Sequence, residues 1–175
     1  MAGLTTGDYN VSVGMNAGAD ITTGNRNIAI GYNTVNGSAG AVGNDNIIVG
    51  KEAGYVLTDA SGSILIGTEA GKNITTGNQN IAIGYDSMNG TTVTGNRNIV
   101  MGFETSRGIT SGYDNIAIGT QSGGGVASVA LTGGNNTCIG NLAGGGIRST
   151  AANNVLIDSF VLAVKLFPEG VLILM

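Results

Sequence analysis

A five-residue phrase recurs nine times along this chain, and a period that short leaves few folds open. The copies are NVSVG (10–14), NIAIG (27–31), NIIVG (46–50), SILIG (63–67), NIAIG (80–84), NIVMG (98–102), NIAIG (115–119), NTCIG (136–140) and NVLID (154–158). Successive copies start 17, 19, 17, 17, 18, 17, 21 and 18 residues apart. Self-similarity at this spacing is the mark of a stacked array, in which each unit buries its apolar face only against its neighbours. The unit is too short for a strand, a crossover helix and a second strand. It does fit two or three short strands joined by tight corners. The sequence therefore predicts an all-β chain: a parallel β-solenoid, or β-roll, of nine rungs over residues 1–158. Nine rungs stacked as in a β-sheet make a rod of about 43 Å.

Within each copy the residue types have distinct tasks. Asn opens eight of the nine: Asn10, Asn27, Asn46, Asn80, Asn98, Asn115, Asn136 and Asn154. Identical amides stacked in register can hydrogen-bond from rung to rung as a ladder. Gly closes eight: Gly14, Gly31, Gly50, Gly67, Gly84, Gly102, Gly119 and Gly140. Glycine enters the positive-φ conformations that a sharp corner demands. Glycine supplies 32 of the 175 residues, well over twice the usual share of roughly 7%. Insertions fall between copies, at Asn36–Val42 and Gly123–Leu131, where a coil can bulge without disturbing its stack. The three central residues alternate faces. Ile28 and Ile30 are assigned to the coil interior and Ala29 to the opposite face, where a small side chain lets a partner approach. Because that opposite slot is apolar or small in nearly every copy, two buried sides are expected, one inside the coil and one against another chain.

The Asn-apolar-Ala-Ile-Gly unit, with its small-residue corner and Thr-Gly-x-x-Asn return, resembles the head repeats of YadA-type trimeric autotransporter adhesins. It also resembles the Asn-x-x-Ile-Gly-x-x-Ala-Gly repeats of phage tail fibres. The likeness covers residues 3–158. It implies a trimer of parallel β-rolls with the strands facing the threefold axis, and work as a fibre or adhesin, extracellular or on a virion. The period is longer than that of the adhesin heads, and no coiled-coil stalk follows, so the phage-fibre side of the likeness is the nearer one.

Residues 159–175, SFVLAVKLFPEGVLILM, leave the repeat. The stretch is shorter than the roughly 20 apolar residues of a membrane span and contains Lys165, Pro168 and Glu169, so no membrane insertion is expected. Pro168-Glu169-Gly170 reads as a turn between two apolar strands. Phe160, Leu162, Val164, Leu166, Phe167, Val171 and Ile173 are the candidate assembly residues of such a hairpin. It would cap the last rung or join subunits head to tail in a filament.

Catalytic parts are scarce. The chain has no His, which excludes a Ser-His-Asp triad and His-based metal sites. Cys138 stands alone and lacks basic neighbours to activate it. Stacking could bring Glu52 near Glu69, or Asp86 near Glu104, but carboxylates on neighbouring rungs are the ordinary content of a solvated face. No enzyme activity, cofactor or metal is expected. A net charge of −4 without a basic run gives nucleic acid no electrostatic footprint. Binding is left. Arg26, Gln79 and Arg97 occupy one equivalent corner position; Tyr32, Tyr85 and Phe103 occupy another. Together they form the candidate surface for a cell-surface glycan or protein receptor. An ice-binding solenoid is a third class, but its Thr array would be interrupted at Gly43 and Gly62.

Overall fold

In the computed structural model, residues 6–37, 40, 43–124, 131–147 and 150–157 are described. Nine three-residue strands form one parallel sheet in sequence order: β1 (Val11–Val13), β2 (Ile28–Ile30), β3 (Ile47–Val49), β4 (Ile64–Ile66), β5 (Ile81–Ile83), β6 (Ile99–Met101), β7 (Ile116–Ile118), β8 (Thr137–Ile139) and β9 (Val155–Ile157). Each strand pairs with the next at equivalent motif positions, so Ile28 faces Ile47 and Ile47 faces Ile64. The chain is an all-β parallel solenoid of about eight turns. The hairpin expected over 159–175 lies outside the described residues, as do most of the two inter-motif insertions.

The inward and outward sides of the strands are the reverse of the sequence expectation. Ala29, Ile48, Leu65, Ala82, Val100, Ala117 and Cys138, the central residues of their strands, are buried. Their flanking neighbours are half-buried or exposed, Ile30 at 37% and Ile118 at 37%. The Asn explains the parity. Asn27, Asn46, Asn80, Asn98, Asn115 and Asn136 are buried. Strict alternation then sends the next residue out, the central one in and the third out.

The narrow interior is filled by matched volumes. The residue four after each motif Gly adopts left-handed backbone: Gly18, Val35, Gly54, Gly71, Met88, Ser106, Gly123 and Gly144. A Cβ placed on Gly71 would lie 2.8 Å from Leu65 Cδ2, and one on Gly54 would lie 3.3 Å from Ile48 Cγ2. This position therefore faces the central strand residue of its own rung. Ile48, Leu65 and Cys138 face a glycine and Val100 faces Ser106; where the central residue is Ala29 or Ala82, the fully buried Val35 and Met88 take up the space, while rung 7 pairs Ala117 with Gly123. Val35 sits at φ +50°, a conformation that is a genuine outlier for a β-branched residue. Core filling outweighs that strain. A third wall of Ile21, Leu57, Ile74, Val93, Ile109 and Leu131 closes the coil, with parallel bridges at Ile74–Val93 and Ile109–Leu131.

The motif glycines form a column of their own. They have φ between +127° and +143°. A Cβ on Gly84 would meet the Gly102 carbonyl, with its carbon 2.7 Å away. Two demands, an unusual φ and backbone against backbone, coincide at the seven corners from Gly14 to Gly119.

Candidate functional site

Three surfaces could do work: a buried amide ladder, an outward apolar sheet face and a polar groove at the strand entrances.

The ladder runs through Asn10, Asn27, Asn46, Ser63, Asn80, Asn98, Asn115, Asn136 and Asn154. At a full step every valence is used. Asn98 Nδ2 donates to Asn80 Oδ1 (3.1 Å) and to the Gly112 carbonyl on the following rung (2.8 Å). Asn98 Oδ1 accepts from the Asn115 backbone N–H and from Asn115 Nδ2, both at 3.0 Å. Two donors and two acceptors meet four partners, the most an amide side chain ordinarily makes. Ser63 shortens the pattern: its Oγ accepts only the Asn80 N–H, at 3.2 Å. From Asn27 to Asn136 this column is buried, and its full steps leave no valence free, which makes it structural.

A second amide column, two residues earlier, is not evident from the repeat alone. The Asn25 N–H donates to Asn44 Oδ1 (2.8 Å), Asn44 N–H to Ser61 Oγ (3.0 Å), Ser61 N–H to Asn78 Oδ1 (2.8 Å) and Asn78 N–H to Asn96 Oδ1 (2.7 Å). Its side-chain acceptors reach back toward the preceding rung, opposite to the first column. The signal was present as Asn-x-Asn in TGNRN, GNDN and TGNQN. Its meaning depends on which side each Asn faces.

The outward face of the sheet carries rows of Ile, Val and Met, continued past the corner by Tyr32, Tyr85 and Phe103. On the interior strands Ile30, Ile47, Ile66, Met101, Ile118 and Ile139 are 37–40% exposed and the other outward side chains are half-buried. Tyr85 and Phe103 stack with centroids 5.2 Å apart. A purely parallel sheet is ordinarily covered on both faces, and contiguous apolar surface of this kind marks an interaction site.

Between the two strand ends the charges are paired. Arg26 makes a two-pronged ion pair with Asp45 (2.6 and 2.8 Å) on the next rung, and Arg97 does the same with Asp114 (2.7 and 2.8 Å). These hydrogen bonds hold both aspartates below the usual carboxylate range. The two arginines lie at the strand entrance and the aromatics past the strand exit. The structure thus brings Tyr85 and Phe103 together but does not join them to Arg26 or Arg97 in one rim. Nor do the carboxylate pairs form bare acid pairs. Lys72 lies 2.7 Å from Glu52 and 3.5 Å from Glu69; Arg107 lies 2.8 Å from Asp86 and 3.6 Å from Glu104. The Lys72 hydrogen bond lowers the pKa of Glu52, the reverse of what a general acid needs. Among the described residues no group of three or more His, Cys, Asp or Glu could hold a metal ion. Cys138 is buried and its thiol is pushed up to about 11 by desolvation.

The groove opens where the arginine column fails. The positions preceding the motif Asn hold Tyr9, Arg26, Asp45, Gly62, Gln79, Arg97, Asp114, Asn135 and Asn153, all with left-handed backbone. Gly62 alone has no side chain. The gap is a shallow cavity of about 510 Å³ floored by Ser61, Asn78 and Asn96 and bounded by Asp45, Gln79 and Arg97.

No protein-family model, curated protein or solved structure matches the chain. What it does must be argued from its own surfaces.

Proposed function

We propose that this chain is a non-enzymatic structural module of a fibre or adhesin, extracellular or on a virion, working as a trimer of parallel β-rods. The observation that carries the reading is the outward apolar face of nine strands, interrupted in its two rows only by Thr137. Its Ile, Val and Met side chains stand in register from rung to rung, so a second copy running parallel would meet them in step. The phage-fibre-like repeat points the same way. The buried ladder, the neutralised carboxylate pairs and the unactivated Cys138 fit a rod that bears load and carries out no reaction. Sedimentation equilibrium tests it. A mass three times the 17.4 kDa of one chain is expected. An outward charge, Ile118→Glu, is expected to yield folded monomers. A wild-type monomer at micromolar concentration refutes the trimer.

A filament joined end to end through residues 159–175 is the second reading. Its support is that β1 and β9 each pair with a single neighbour among the described residues, and open sheet edges are templates for another chain. Long polymers that vanish on deletion of 159–175 would favour it over the closed trimer.

A further inference from the structure

We infer that the groove at Gly62 is a binding site for a neutral, hydroxyl-rich ligand: a short oligosaccharide lying along the rod. The inference deepens the adhesion half of the proposed function and rests on it.

The position preceding the motif Asn has left-handed backbone on every rung, where glycine would fit without strain. Eight of the nine copies nevertheless keep a side chain there. Such strain is retained where the side chain has a task. On rungs 2 and 3, and again on rungs 6 and 7, the task is an inter-rung ion pair. Rungs 4 and 5 break this row with Gly62 and Gln79. The neighbouring ion pairs fix the two ends of the gap: Arg26 locks Asp45 from outside, and Arg97 is locked by Asp114.

The floor is equally fixed, yet it keeps free valences. Asn78 and Asn96 are anchored through their Oδ1 atoms, and Ser61 through its Oγ as an acceptor. Asn96 Nδ2, the Gln79 amide and the Ser61 hydroxyl proton have no partner among the described residues. In the buried ladder, by contrast, a full step such as Asn98 leaves nothing over. The groove therefore holds the Asn96 and Ser61 donors in place before a ligand arrives, which lowers the ordering cost of binding, with the exposed Gln79 amide beside them supplying a donor and an acceptor. One locked carboxylate and one locked guanidinium leave it without the concentrated charge that would select a phosphate or a nucleic acid. The cavity spans rungs 3 to 6, roughly 14 Å at the spacing of β-sheet strands. That is room for several sugar rings, which would meet the Ser61 hydroxyl on rung 4 and the amides of Asn78, Gln79 and Asn96 on rungs 5 and 6.

The steric test is built into the fold. A Cβ at Gly62 would meet only Gln79 Cγ, at 3.5 Å, and its φ of +67° is close to the +57° of Gln79. Gly62→Gln should therefore fold and fill the groove with the side chain of the adjacent rung. Full-length protein is titrated by calorimetry with maltohexaose, cellohexaose, chitohexaose and poly-N-acetyllactosamine, with amide resonances of Asn78, Gln79 and Asn96 followed by NMR. At least one probe is expected to bind and to shift those resonances. Gly62→Gln is expected to weaken it at least tenfold, with an unchanged oligomeric mass and an unfolding midpoint lowered only by the strain of a side chain at φ +67°. Gly146→Gln, at another open glycine, should leave it unchanged. Binding that survives Gly62→Gln and is lost in Tyr85→Ala overturns the groove and leaves an adhesive aromatic surface in its place. No binding of any probe by the wild type also overturns it, while the trimeric rod stands or falls on its mass.

Discussion

Replacing Asn98 by Ala removes a side chain that donates twice and accepts twice inside the rod. Each intramolecular hydrogen bond contributes about 1 kcal/mol net, and a buried group left unpaired costs about 1–3 kcal/mol. Four lost bonds therefore predict a destabilisation of about 4 kcal/mol, far more than the packing lost with so small a side chain. Two comparisons isolate the ladder. Asn98→Ser should recover about 1 kcal/mol, because Ser63 already shows a hydroxyl accepting the next backbone N–H in this column. Asn154→Ala, at a residue whose side chain only donates among the described residues, should cost about half as much as Asn98→Ala. Urea unfolding followed by far-ultraviolet circular dichroism gives all three values. A cost below about 1 kcal/mol for Asn98→Ala, or an Asn98→Ser as damaged as the alanine, would refute the ladder as a source of stability.

Other substitutions probe the coil interior. Ala82→Leu should overpack against Met88 and cost about 1–3 kcal/mol, whereas Ala82→Leu with Met88→Gly reproduces the Leu65–Gly71 pairing and should recover most of it in a double-mutant cycle. Gly84→Ala forces a Cβ onto the Gly102 carbonyl at φ +129°, so a loss of about 3 kcal/mol or more in thermal or urea unfolding is expected. Burial pushes the Cys138 thiol up to about 11 when folded, above the 9.0 of an ordinary exposed thiol. Its contribution is complete below pH 9 and is lost as pH rises toward 11, because there the unfolded thiol has ionised and the folded one has not. A Cys138→Ala chain should lack that alkaline decline, and in the native protein the thiol should react with a disulfide reagent only after denaturant is added.

Much of the architecture was legible in the sequence. The spacing of NIAIG gave the rungs, and the Asn and Gly columns fell on the ladder and the corner. The facing of the strands was not legible, because Ile-Ala-Ile is apolar on both sides and supports either parity. Only the burial of Asn27 and its equivalents decides it. Reversing the parity kept the inference of a second apolar surface, but made that surface Ile-rich rather than Ala-rich. The separation of the candidate binding rim into two parts has a related reason. Arg26 and Tyr32 are near in sequence, yet a three-residue strand separates them, and the ion partners Asp45 and Asp114 belong to neighbouring rungs. The groove is harder still to foresee, since its signal is a missing side chain at Gly62.

Rung 4 reads Ala-Ser-Gly-Ser where its neighbours have variants of Thr-Gly-Asn-x-Asn. The same rung thus holds Ser63 in the first column, Ser61 in the second and Gly62 between them. Within the two columns, two side-chain bonds cross from Ser61 and Ser63 to the next rung, against four at the Asn78–Asn96 and Asn80–Asn98 steps. A rod peeled apart rung by rung should therefore yield first here, dividing into an N-terminal and a C-terminal block. In a fibre under tension such a level acts as a mechanical fuse, giving way at a set place while the blocks on either side stay wound.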